Sequence, residues 1–335
     1  MKKLLTCLLA VSAMLMAGVT VAAEPVAVEP RPAEINVAYF LEWPSPNQFA
    51  QLKQTYDSAL GLKVNWISFS NGSEMNAAMV SGDVQIAYSQ GHVPFLVGVT
   101  EGLDLTMVGV SVGYSQSDSC VLANDSGITR GNVSELEGKK VATLFGSVSH
   151  YKLLKVLRHL KIDEDKVEII LTDDDASAAA ALRNGDVVMA CVSGSALRSI
   201  ADVGTPLMST AELEAVGLRV FNIVTVPTDF MSQYAEIVQG FMDVTEASNN
   251  QWKLNPDPMR ATIARAAGMD RTGSDNALEH FSFPTATEQR SRQWMGSAVV
   301  DYTKELADFF VAQKRLPKSL SRGDYNKHIT TRFLR

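Results

Sequence analysis

The sequence predicts an α/β protein of two lobes joined by two crossing strands, with a ligand cleft between the lobes. Three observations predict it. Strand, helix and strand alternate repeatedly, which is the pattern of a mostly parallel sheet covered by helices. A stretch over 77–88 is echoed over 180–191 at a constant offset of 103 residues. The length of 335 residues also exceeds what a single core usually serves.

Order begins after a proline-bearing stretch that holds Pro25, Pro30 and Pro32. Residues 35–40 read as a strand, 46–60 as a helix opened by Pro46, and 63–69 as a second strand with Val64 and Trp66 alternating. A small-residue helix over 74–80 then turns at Gly82 into a strand over 84–88. The unit recurs as strand 140–145, helix 149–160 and strand 167–171. Leu153, Leu154, Leu157 and Leu160 mark a buried helix face in it. In the echo, Ser81-Gly82-Asp83-Val84 answers Asn184-Gly185-Asp186-Val187, so each copy is a helix end, a Gly-Asp turn and a buried strand. Beyond Asp229 the pattern is helical, over 233–252, 259–267 and 287–313, with a short tail at 329–334. The expected organisation is a leader over 1–23, a first lobe over 24–118, a second lobe over 119–220, and a return over 221–335 that completes the first.

The leader reading rests on Lys2 and Lys3, an uncharged apolar run over 4–19, and Val21-Ala22-Ala23 before Glu24. The run is shorter than the roughly 20 residues that a spanning helix needs. Loss of the two lysines takes the formal charge from −7 to −9. This argues against nucleic acid as a partner, since phosphate binding needs a positive face. The remaining Cys120 and Cys191 are too few for a disulfide framework, and the sequence leaves their pairing open.

Ligands in open α/β sheets sit beyond the carboxyl ends of strands. The segment Gly146-Ser147-Val148-Ser149-His150-Tyr151 follows an apolar strand and opens a helix, which suits an anion. A serine there is equally suited to capping the helix. Ser89-Gln90-Gly91 ends another strand and offers further donors. Glu42, Trp43 and Asp118 stand opposed to them as candidates for a cation, with the Trp43 ring face as a possible partner. Asp173-Asp174-Asp175 reads as a helix cap and first turn. The five histidines lack metal-ligand spacing, and neither a G-x-S-x-G elbow nor an H-E-x-x-H motif occurs. Neither an enzyme nor a cofactor is expected.

The strand Val37-Ala38-Tyr39, the turn 81–86, the segment 149–154 and the tail Asp324-Tyr325-Asn326-Lys327-His328 carry a resemblance over nearly all of the chain from Ile35. On them the chain resembles the periplasmic binding proteins of the taurine/alkanesulfonate/nitrate transporter family. That resemblance implies a type II periplasmic binding fold, a monomer that closes on a small zwitterionic or anionic ligand and presents it to an ABC permease with its ATPase. It also implies a sulfonate near 89–91 and 147–151 and an ammonium near Asp118. Two departures bear on the ligand. Asn222 replaces an aspartate of the taurine-binding group, and Ser193 ends a segment that there carries a large aromatic wall. The ligand is therefore expected to be larger than taurine or to carry its cation elsewhere. Another alkanesulfonate, an organic amine, a pyrimidine thiamine precursor or a role as a sensor module are the alternatives.

Overall fold

The computed structural model describes residues 30–41 and 43–335; the leader over 1–23 and Glu42 lie outside the described residues. Among the described residues, ten strands form two five-stranded sheets. The first contains β1 (Glu34–Tyr39), β2 (Lys63–Ser68), β3 (Ile86–Gly91) and β4 (Leu105–Gly113). The second contains β5 (Asp118–Ala123), β6 (Lys140–Leu144), β7 (Glu168–Thr172), β8 (Met189–Ser193) and β9 (Gly204–Pro206). The chain then returns to the first sheet through β10 (Phe221–Pro227).

The strand orders are β2-β1-β3-β10-β4 and β7-β6-β8-β5-β9. Each sheet has three parallel strands followed by an antiparallel strand, β10 in one and β5 in the other. The echoed sequence supplies the third strand of each, so the repeat marks equivalent places in two lobes. Two segments cross between the sheets, one from β4 to β5 and one leading into β10. β4 is buried throughout its nine residues, as a strand covered on both faces must be.

Local chemistry places the helices. Asn71 accepts from the amides of Ser73 and Glu74 and starts the helix Gly72–Val80, and Asp174 accepts from Ser177 and starts Asp175–Arg183. The helix expected over 46–60 is two, Pro46–Leu52 and Thr55–Leu60, because Gln54 between them adopts a left-handed φ of 53°. The helix expected over 287–313 is likewise divided into Ala286–Arg290 and Ala298–Ala312. Two further helices had no clear periodicity. His92–Glu101 is apolar almost all round because it is buried, and the polar Arg271–Leu278 is started by an Asp270 cap.

Cys120 and Cys191 lie directly opposite one another in β5 and β8 and form a disulfide. The antiparallel register brings them together, which spacing in the chain could not reveal. The bond closes a loop with a sequence separation of 71, and loops of that order are stabilised by about 2–4 kcal/mol. Among the described residues no helix is long and apolar enough to cross a membrane.

Candidate functional site

The strand ends that face one another across the lobes divide into a sealed side and an open side. Asp118, the first residue of β5, has 2% of its surface exposed and stands where the sealed side meets a cavity of the open one. Lys152, buried in the helix Val148–His159, donates to its Oδ1 at 2.8 Å and to its carbonyl oxygen at 2.6 Å. Ser149 donates to the same Oδ1 at 3.3 Å. Burial lowers the Lys152 ammonium from its ordinary range, and the Asp118 carboxylate opposes that shift. Where the sequence placed the ammonium of a ligand, a lysine of the chain supplies the charge opposite Asp118.

The expected anion donors on this side are also engaged. Ser147 is the N-cap of its helix, with Oγ accepting from the His150 amide at 3.0 Å and donating to the Leu144 carbonyl at 2.8 Å. His150 accepts the Gly146 amide on Nδ1 at 3.2 Å and packs its ring on Phe309. Burial holds its pKa below the usual imidazole range. The Tyr151 hydroxyl donates to Glu305 at 2.8 Å, and Lys155 forms an ion pair with the same carboxylate. Arg315 lies over Gly146 and Phe145. The helix Ala298–Ala312 and the residues after it thus cover the mouth of this helix.

Ser89 and Gln90 are buried residues of β3 rather than loop donors. Asn222 donates to Ser89 Oγ at 3.3 Å, while Gln90 donates to Gly72 and Asn76 and accepts from Thr225 at 2.6 Å. Gly91 does approach Val148 across a cavity with His92, Tyr114 and Tyr302 in its walls. That cavity holds about 120 Å³, room for a compact ligand but below the range of roughly 300–1,000 Å³ usual for pockets that take drug-sized ones.

The open side has the larger space. A cleft of about 740 Å³ runs between Trp43, Tyr114 and Phe281 on one wall and Ser193, Gly194 and Arg198 on the other. The Trp43 ring meets Tyr114 edge-on with centroids 5.2 Å apart and Phe281 at 4.7 Å with a tilt of 30°. Trp43 Nε1 is buried without a hydrogen-bond partner among the described residues. Burial raises the Tyr114 hydroxyl above its ordinary pKa, with the Asp118 charge adding to the effect.

Ser193 ends β8 and is held by Asp175, which accepts from its amide at 3.1 Å and its hydroxyl at 2.5 Å. Burial raises the Asp175 carboxyl from its ordinary range, and the Asp118 charge adds to it. The acidic run is thus a cap at Asp174 and a clamp on the cleft wall at Asp175. Arg198 and Glu279 also line the cleft, and among the described residues neither has an ion-pair partner. A second cavity of about 350 Å³ adjoins it, with Ser117, Gly194, Arg198 and His280 lining both.

Of the residues singled out in the sequence, Trp43 and Ser193 line this cleft. Ser89, Gln90, Gly91, Asp118, Ser147, Ser149, His150, Tyr151 and Asn222 do not. Arg198, Glu279, His280 and Phe281 were not foreseen. Arg198 had a faint signal, as a cation four residues beyond the Gly194 that follows a buried strand; Phe281 had none, because it lies 163 residues along the chain from Asp118, which begins the second lobe's first strand.

Comparison with known proteins agrees with this architecture. The chain is 25% identical over 317 residues to the taurine-binding periplasmic protein of Escherichia coli, covering 92% of this chain and 95% of that one. It is 24% identical over 266 residues to a putative aliphatic sulfonates-binding protein of the same organism, covering 77% of each. The crystal structure of the periplasmic aliphatic sulphonate binding protein from Escherichia coli superposes with a TM-score of 0.69 at 20% identity, covering 89% of this chain and 98% of that one. Its fold is the two-lobed periplasmic binding fold. The sequence profile described as NMT1/THI5 like matches residues 49–258, well over half of the chain, and the protein belongs to that family.

Proposed function

We propose that the chain is the ligand-capturing component of an ABC importer, taking a small organic sulfonate into the Trp43–Arg198 cleft and presenting it to a membrane permease with its ATPase. The observation that carries the reading is a cleft between two lobes with a ring cluster on one wall and, on the other, an arginine without an ion-pair partner among the described residues, in a chain similar over 92% of its length to a taurine-binding protein and over 77% to a putative aliphatic sulfonates-binding one. Arg198 meets the anion, in a charge-assisted hydrogen bond that is roughly twice as strong as a neutral one. Glu279 receives an ammonium where the ligand has one, and the Asp118–Lys152 pair holds the crossing strand.

The same reading places the mature protein in the periplasm as a monomer. Its leader is 1–23, its second lobe 119–220, and its first lobe 24–118 with 221–335. It binds and releases its ligand unchanged, with no catalytic step.

Thermal unfolding of the chain from Glu24, with and without taurine, ethanesulfonate, 4-toluenesulfonate, ethylamine and ethanol, tests the proposal. A ligand that binds only the folded state at 100 times its Kd stabilises it by about 2.7 kcal/mol. At least one sulfonate is expected to raise the midpoint in a concentration-dependent way while ethanol does not. Failure of every sulfonate to do so overturns the reading.

A further inference from the structure

The size and wall chemistry of the cleft go further than the sulfonate reading on which this step rests. A two-carbon sulfonate has so few heavy atoms that it fills on the order of 100 Å³ at the packing density of a protein interior. The cleft offers about 740 Å³ and the adjoining chamber about 350 Å³. Trp43, Tyr114 and Phe281 form a contiguous ring cluster on one wall. A flat apolar ligand body covers such a wall better than an aliphatic stub, because aromatic pairs gain offset or edge-on contacts beyond their buried area.

Charge fixes the other end of the ligand. Among the described residues, Arg198 is the only lysine or arginine that lines either cavity, and it lines both. Asp118, which also borders the chamber, is already neutralised by Lys152. Beyond Arg198 the chamber walls include Val121, Leu197, Pro206 and Met208, an apolar surface on which a flexible methionine can adapt to shape.

We infer that the site takes an aromatic organic anion longer than a two-carbon sulfonate. Its ring lies on the Trp43–Tyr114–Phe281 cluster, its acid group meets Arg198 at the neck between the cavities, and a substituent beyond the acid-bearing ring enters the adjoining chamber. A sulfonate and a carboxylate share the chemistry that Arg198 recognises, so the acid group is left to experiment.

The test is isothermal titration of the mature protein with ethanesulfonate, taurine, 4-toluenesulfonate, biphenyl-4-sulfonate, 4-methylbenzoate and choline. At least one aromatic anion is expected to bind tenfold or more tightly than ethanesulfonate, the toluene pair showing whether sulfonate or carboxylate is preferred. Arg198→Gln is expected to weaken every aromatic anion by tenfold or more. Trp43→Leu and Phe281→Leu, which keep apolar bulk, are each expected to narrow the gap between the aromatic and aliphatic ligands. Ala201→Phe, which narrows the chamber, is expected to weaken the biphenyl ligand more than the toluene one.

If ethanesulfonate or taurine binds as tightly as every aromatic anion, the aromatic assignment is overturned while the sulfonate reading stands. Tight binding of choline without any anion overturns the role of Arg198. If none of the anions binds, the sulfonate reading falls and this inference falls with it.

Discussion

Two turns of the second lobe have the same local geometry and opposite fates. β6 runs into its helix through Gly146 at a φ of 61°, and β8 runs into the helix Gly194–Ser199 through Gly194 at a φ of 57°. Both glycines supply the left-handed backbone that a strand-to-helix corner needs. At Gly146 the space beside the backbone is filled by Arg315, whereas at Gly194 nothing lies within 4 Å of where a Cβ would stand. One corner is roofed by the helix Ala298–Ala312 and its sequel; the other opens on the cleft. The comparison teaches that donors suited to an anion do not make a site unless the tertiary fold leaves them uncovered. A motif reading favours the Gly146 corner, with its serines and histidine; the function proposed above uses the plainer one.

The largest expected effect separates the two sides by removing one cation from each. Lys152→Met leaves the buried Asp118 carboxylate unpaired and is expected to destabilise the fold by about 3–5 kcal/mol in chemical denaturation, with Asp118→Asn in the same chain restoring part of the loss. Arg198→Gln, exposed on the cleft, is expected to change stability by less than about 0.5 kcal/mol. Equal losses for both would dissolve the distinction between a structural charge and a ligand-facing one.

An intermediate effect comes from His92 on the sealed side, which burial pushes down to about 3 from 6.5. Below pH 6.5 the unfolded chain takes up a proton that the folded chain refuses until far lower pH. Stability from this group is thus complete above pH 6.5 and is lost progressively as pH falls toward 3. Between pH 6.5 and 5 the expected loss is about 2 kcal/mol, at 1.36 kcal/mol per unit. His92→Gln should flatten the dependence of unfolding free energy on pH over that interval. An unchanged slope would show that water reaches the ring and that this side is not sealed.

The smallest effect compares the corners themselves. Alanine at Gly194 meets only the left-handed backbone cost of roughly 1–2 kcal/mol. Alanine at Gly146 meets the same cost and must also displace Arg315, so its unfolding midpoint is expected to fall further. Midpoints that agree would mean that the Arg315 roof moves away freely.

Much of the architecture could be read from residues alone. The Gly-Asp echo placed equivalent third strands in two lobes, and the stretches around β1, β2, β6 and β7 were found within a residue or so, because a buried strand must be apolar wherever it occurs. Long helices were legible in kind but not in continuity: nothing in the alternation over 46–60 announces the left-handed Gln54. The helix His92–Glu101 was missed because burial on all sides erases the period that reveals a helix.

The site was less legible, for a different physical reason. Trp43 and Ser193 were within reach because each follows a strand, and strand ends converge in this kind of sheet. Their partners Phe281 and Glu279 come from the returning segment, and the disulfide depends on a register between β5 and β8. What the sequence determined by itself was the two-lobed α/β plan and the strand-to-helix corners, since these follow from hydrophobic period, glycine and capping chemistry acting within a few residues. What only the tertiary structure decided was which corner is covered and which charges are already paired. Arg315 reaches Gly146 across 169 residues of chain and Lys152 reaches Asp118 across 34, and contacts of that kind are fixed by packing between elements rather than by any local rule.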